Sequence, residues 1–154
     1  MNTKIAFGVA DHAPLQPAPI NADWIIDGAP IARNALLSLS DDKDAFTLMW
    51  DCTAGQFEWR YSIDETVYIL EGSVIVEDEA GARHRLETGA TAFFPAGSRA
   101  IWRVESYVRK VAFCRRPPLK CYVLAKKLTK AALFKTGLRT SGDEASMAMF
   151  GAAN

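Results

Sequence analysis

Glu65 follows the alternating run Phe57-Glu58-Trp59-Arg60-Tyr61-Ser62-Ile63, and a carboxyl group beside indole and phenol rings is a candidate acid or base. Removal from water disfavours the charged form, so such a carboxyl would titrate above its ordinary range. Tyr61, four residues earlier, supplies a second proton-transfer group, and the two could serve a proton-transfer or hydrolytic step. The same residues suit binding without reaction. Period-two alternation puts Trp59 and Tyr61 on one face of a strand and Trp102 on the matching face of a later one. With Phe94 they would line an aromatic cleft holding one carboxylate, fit for a small organic metabolite with a cationic or hydrogen-bond-donating group. A third reading gives them no ligand: the rings fill the interior, and Glu65 pairs with Arg60, Arg99 or Arg103.

Metal chemistry needs several nitrogen, oxygen or sulfur ligands converging on one point. The chain has two histidines, His12 in a proline-rich stretch and His84 between two arginines, and the latter reads as a surface side chain. Glu65 alone cannot hold a divalent ion, so no metal and no cofactor are expected. Cys52, Cys114 and Cys121 form no C-x-x-C pair and suggest neither a disulfide framework nor a zinc ribbon. They read as reduced thiols, at least two of them in apolar surroundings.

The elements that must position these residues are short strands. Apolar or alternating runs cover 31–39, 46–52, 57–63, 66–70, 73–77, 83–86, 91–94, 100–105 and 107–114, with turn residues between them. Thr53-Ala54-Gly55, Glu71-Gly72, Asp78-Glu79-Ala80-Gly81 and Pro95-Ala96-Gly97 read as the turns. About nine or ten strands at this spacing predict an all-β sandwich or barrel. Residues 1–30 form a proline-rich arm, with Pro14, Pro17 and Pro19 in quick succession. Residues 117–154 change texture. Cys121, Leu124, Ala125, Leu128, Ala131 and Ala132 make one stripe, with Lys126, Lys127 and Lys130 off it, which predicts an amphipathic helix ending near Gly137.

Two motifs within 31–116 resemble those of the cupin superfamily. The first keeps Gly55, Glu65 and Gly72, and counting back from Glu65 its two histidine positions fall on Trp59 and Tyr61. The second keeps Gly89, Pro95 and Gly97, while its histidine position falls on Ala100 and its asparagine position on Val104. The resemblance implies a double-stranded β-helix, the jelly-roll cupin barrel, and the amphipathic stripe after it adds a C-terminal α-helix. It also implies that three of the four positions at which cupins hold a metal ion are replaced here. The phrases WDCTAGQFEWRY, DETVYILEG and FPAGSRAIWRV are similar to the small single-domain branch related to the cupin domains of ureidoglycine aminohydrolase. Three functions remain open: a metal-free small-molecule-binding cupin, a hydrolase or isomerase of the ureidoglycine-aminohydrolase type, and a structural, dimerising cupin.

The chain of 154 residues carries 18 basic and 18 acidic side chains, and this balance gives no electrostatic footprint for nucleic acid or an anionic membrane. The N-terminus lacks the apolar core of a secretory signal, and no apolar run is long enough to span a bilayer, so the cytoplasm is the expected compartment. Val67 and Ile69 alternate with Tyr68 and Leu70, so that strand is apolar on both faces and needs a cover outside the barrel. A homodimer is the expected partner arrangement, which is also usual for cupins.

Overall fold

The computed structural model describes residues 12–118 and, outside that range, Ile5, Phe7, Leu124 and Leu128. The described residues form strands β1 (Gln16–Pro17), β2 (Ile25–Asp27), β3 (Ala32–Leu39), β4 (Ala45–Arg60), β5 (Asp64–Glu77), β6 (Arg83–Glu87), β7 (Thr91–Phe94) and β8 (Arg99–Arg115), with a 3-10 turn at Ala22–Trp24. Strands β4, β5 and β8 are longer than the sequence spacing predicts, and this is a correction. Thr53-Ala54-Gly55 does not turn the chain; β4 runs through it with a register shift against β8 between Thr53 and Gly55. Glu71-Gly72 likewise lies inside β5, where the pairing to β8 shifts between Ile69 and Glu71 and again between Gly72 and Ile75. Each such register shift interrupts the ladder locally and bends the strand without ending it, and across the shifted region of each strand the core-facing side chains change parity. In β4 the side chains that join the core cluster are Trp50 and Cys52 before the shift and Phe57 after it, while Met49 and Asp51 are buried on the opposite face; in β5 they are Val67 and Ile69 before, Val74 and Val76 after. The alternation therefore restarts beyond the shifts, which is why one strand reads as two in the sequence.

Each long strand thereby serves two layers. The register places β1, β3, the first part of β4, the second part of β8, the first part of β5 and β7 side by side in one layer. The second layer is β2, the end of β4, the start of β8, the end of β5 and β6. Two antiparallel layers joined by strands that bend from one to the other are a jelly roll. The core lies between them, with Phe57, Val67, Ile69, Trp102 and Val108 almost wholly out of solvent.

Gly72 is the tightest point of the bend. Its φ is 73°, and a Cβ there would lie 2.0 Å from the Tyr107 carbonyl oxygen. The residue allows a bend and a close backbone approach, rather than the strand-to-strand turn that Glu71-Gly72 suggests.

The described part of the proline-rich arm joins the domain. Ile20 is buried, β1 pairs with β3, β2 pairs with β4, and the Trp24 ring meets that of Trp59 edge-on with centroids 5.7 Å apart. The chain divides into two units, Met1–Pro117 and Pro118–Asn154, and the barrel is in the first. The predicted C-terminal helix lies outside the described residues except at Leu124 and Leu128, which are helical. Among the described residues no helix is long and apolar enough to cross a membrane.

Candidate functional site

The interior of the barrel is built around a charge. On β8 the inward positions are Ala100, Trp102, Val104, Val108, Lys110, Ala112 and Cys114, and Lys110 is the polar exception. Its Nζ donates to Glu65 Oε1 at 2.5 Å, and both side chains are buried. Glu65 opens β5 and sits opposite Cys114, four residues beyond Lys110, so the lysine reaches along its own strand toward the corner. The ammonium lies 4.5 Å from the Trp102 ring centroid, 4.9 Å from that of Trp50 and 6.0 Å from that of Trp59. A desolvated ammonium over an indole face gains about 2 kcal/mol, which helps to offset the several kcal/mol that removing each charge from water costs.

A second layer of rings leans on this cage. The Trp102 indole Nε1 donates to the Tyr61 hydroxyl at 2.9 Å. The Tyr61 ring stacks on Phe94 with centroids 4.5 Å apart and planes 5° apart. Backbone bonds from Tyr61 N to Ser98 O and from Gly97 N to Tyr61 O hold the Pro95–Gly97 turn against this pair. Burial first, and then the nearby Glu65 carboxylate, push the Tyr61 phenol far above its ordinary value; the Trp102 hydrogen bond acts in the opposite sense but is outweighed.

Trp59, Tyr61, Glu65, Phe94 and Trp102, all named from the sequence, are thus brought together. The space between Trp59 and Trp102 is not open: Trp50 lies between them, 5.9 Å from one ring and 6.0 Å from the other, with the Lys110 side chain beside it. Glu65 pairs with Lys110, not with Arg60, Arg99 or Arg103 as the sequence suggested. The sequence held a signal for this, since Lys110 shares the parity of Val108, Ala112 and Cys114.

The open space lies on the far side of Phe94. A cleft of about 540 Å³ runs between β6 and β7, with Val76, Leu86, Phe94 and Ala100 among its walls and Asp78, His84 and Arg99 at its rim. Ala100, where the resembled motif has a histidine, is a wall of this cleft, so the methyl group leaves room there. His84 is exposed, as its sequence context suggests, yet it pairs in register with Val76 and lies on the core-facing side of β6 at the cleft mouth. Its Nε2 is 3.3 Å from Asp78 Oδ2. Backbone bonds from Ala82, ahead of the contact with His84, hold the Asp78 carboxyl below its ordinary range.

The residues do not fit a metal ion. At the four ligand positions of the resembled family, indole and methyl groups offer no lone pair, the Tyr61 hydroxyl already accepts from Trp102, and Glu65 accepts from Lys110. Among the described residues no three His, Cys, Asp or Glu side chains cluster to hold one. A second buried carboxylate, Asp51 on β4, is satisfied by Arg33 Nε and by the Tyr107 hydroxyl.

The EutQ-like cupin domain model matches residues 39–112. No curated protein matches the chain. Among solved structures, a protein of unknown function of the DUF861 family from Pseudomonas syringae is similar at 27% identity and a TM-score of 0.62, over 67% of this chain and 45% of that one. The EutQ protein of Clostridium difficile is similar at 19% identity and a TM-score of 0.50, over 56% and 64% of the two chains. The chain thus spans less than two thirds of either relative. A predicted oxalate decarboxylase from Thermotoga maritima shares the fold at 13% identity and a TM-score of 0.56, over 74% of this chain and all of that one. Bent two-layer barrel, paired glycine-and-proline motifs and a domain model matching just under half of the chain agree on the fold, and residues 39–112 are similar to the EutQ-like cupin domain within a jelly-roll cupin barrel.

Proposed function

We propose that this cupin binds a small organic molecule in the cleft between β6 and β7, without a metal ion. One observation carries the reading: the cleft opens where Ala100 replaces the motif's histidine, so the space a histidine ring would fill is available to a ligand. Its walls are apolar and its rim offers a carboxylate, an imidazole and a guanidinium, the usual composition of a small-molecule site. Phe94 links the two regions. One side of the ring stacks on Tyr61, and the residue also lines the cleft, so Trp59, Tyr61, Glu65 and Trp102 act as the rigid wall behind the ligand. A thermal-shift screen of metabolites tests this, because a ligand of the native state raises Tm. Hits should disappear in Ala100→Phe, which fills the cleft. A screen without hits, or hits indifferent to Ala100→Phe, would sink the proposal.

A reaction of the ureidoglycine-aminohydrolase type, hydrolytic or isomerising, is the second reading. Glu65 and Tyr61 support it poorly, being engaged by Lys110 and Trp102. The observation in its favour is the His84–Asp78 contact at the cleft mouth, since a histidine oriented by a carboxylate is a common general base. If hits of the screen are incubated with the protein and assayed for conversion, any turnover found should fall in His84→Gln.

The homodimer is proposed on the outer face of the first layer. Phe93, Thr66 and Phe113 lie side by side in register, both phenylalanines are exposed, and Tyr68 stands in the next row. Asp64 and Arg115, 3.9 Å apart, edge this patch with one charge of each sign, so a second copy of the same face meets no net like charge.

A further inference from the structure

We infer that the Lys110 ammonium takes, in this chain, the place of the metal ion that the cupin scaffold is built to hold. Glu65 is the one metal-ligand position that keeps its residue type, and its carboxylate oxygen accepts a hydrogen bond from Lys110 Nζ. Trp59 occupies a former histidine position, and its ring is one of three that surround the ammonium, with Trp50 and Trp102. Tyr61, at the other histidine position, anchors Trp102 through its hydroxyl and so fixes the nearest of the three rings.

The replacements are chemically coherent as a set. A divalent ion needs lone pairs directed at it within bonding distance, which imidazoles supply. An ammonium needs a counter-charge and, where water is excluded, the negative faces of aromatic rings. Exchanging imidazole for indole while keeping the carboxylate turns a site for one kind of cation into a site for the other. The lysine comes from β8, where the inward parity places it among Val108, Ala112 and Cys114, so the charge is tethered rather than recruited from solution. The inference concerns the interior and stands whether or not the neighbouring cleft binds a ligand.

The test asks whether the cage prefers a cation. Lys110→Ala removes the butylamine arm and leaves a space beside Glu65. Full-length Lys110→Ala protein is melted with n-butylammonium chloride, with n-butanol at equal concentration, and with sodium chloride as the ionic control. The amine should raise Tm by about 4 °C at tens of millimolar, because it binds only the folded cage. Butanol and sodium chloride should not. The wild type, whose cage is filled, and Lys110→Ala/Glu65→Gln, whose counter-charge is gone, should not respond to the amine. Equal effects of amine and butanol, or no effect of either, overturn the inference. Should Lys110→Ala be insoluble, it is refolded from denaturant with each additive. Recovery with the amine alone supports the cation cage, and recovery with both or with neither overturns it. Zinc, manganese and nickel are tested on the wild type by thermal shift and by elemental analysis after dialysis. No Glu65-dependent binding is expected, and stoichiometric metal that is lost in Glu65→Gln overturns the inference.

Discussion

The indole N–H of Trp102 donates to the hydroxyl of Tyr61 in the dry centre of the barrel, at 2.9 Å and across 41 residues of sequence. The bond satisfies the Trp102 donor, and it orients the ring that lies nearest the Lys110 ammonium. Tyr61→Phe keeps the stack on Phe94 and removes only the acceptor. A buried donor left without a partner costs about 1–3 kcal/mol, so Tm should fall by several degrees with little change in near-ultraviolet circular dichroism. A variant as stable as the wild type would show that water or another acceptor replaces the hydroxyl, and the account of the ring anchor would fail.

Glu65 and Lys110 should respond to mutation as a pair. Removing one partner strands the other charge in the interior, a loss of about 3–5 kcal/mol for either Glu65→Gln or Lys110→Met. Replacing both together removes the stranded charge as well, so the double variant should be far more stable than the sum of the single effects predicts. Urea denaturation of the four proteins of the cycle measures the coupling. Additive losses would mean that the two side chains do not share their charge in solution.

Gly72 and Gly89 separate backbone geometry from crowding. Both have positive φ, 73° and 91°, but a Cβ at Gly72 would meet the Tyr107 carbonyl oxygen at 2.0 Å, whereas at Gly89 nothing lies within 4 Å. Gly89→Ala should cost about 1–2 kcal/mol, the strain of a left-handed alanine. Gly72→Ala adds a clash with main chain that cannot rotate away, and it should abolish the soluble fold or lower Tm far more. Similar stabilities of the two variants would refute the reading of Gly72 as the pivot of β5.

What was legible in the sequence follows a physical divide. Gly72, Gly89, Pro95 and Gly97 carry local demands on the backbone, and their spacing shows the barrel even where the side chains between them have changed. Strand rhythm was legible too, but the register shifts of β4 and β5 against β8 restart the alternation, so a continuous bent strand looks like two separate ones. The partner of Glu65 was not legible in the same way. It is 45 residues distant and belongs to another strand, and only the register of β5 against β8 shows that Lys110 reaches it. The cleft was missed for a similar reason. His84 sits between two arginines, which masks the parity that it shares with Leu86, and β6 and β7 each pair with β5.

The dimer proposal makes a prediction about two rings. Phe93→Ser/Phe113→Ser removes the exposed phenyl groups of the outer face without touching the core. Light scattering should give a dimer for the full-length wild type and a monomer for the variant, with the Tm of the barrel little altered. A wild type that is monomeric at high micromolar concentration sinks the proposal, and so does a variant that remains dimeric.

The two buried thiols predict how the fold meets alkali. Burial, ahead of the nearby carboxylates Asp51 and Glu65, pushes Cys52 and Cys114 from 9.0 up to about 12. A group whose pKa is raised on folding keeps its proton in the native state while the unfolded chain has lost it. Between pH 9 and 12 the unfolded chain therefore binds fewer protons, and stability falls as pH rises. The contribution is whole below pH 9 and is gone above about 12. Tyr61, raised by burial, acts in the same direction from its ordinary value upward. In a Cys121→Ser variant, which leaves only these two thiols, thiolate absorbance of the native protein should stay flat through pH 9 and rise with the unfolding transition, and Tm should decline over the same interval. Thiolate signal from Cys52 or Cys114 near pH 9, in protein still folded by circular dichroism, would mean that neither is shielded as the barrel requires.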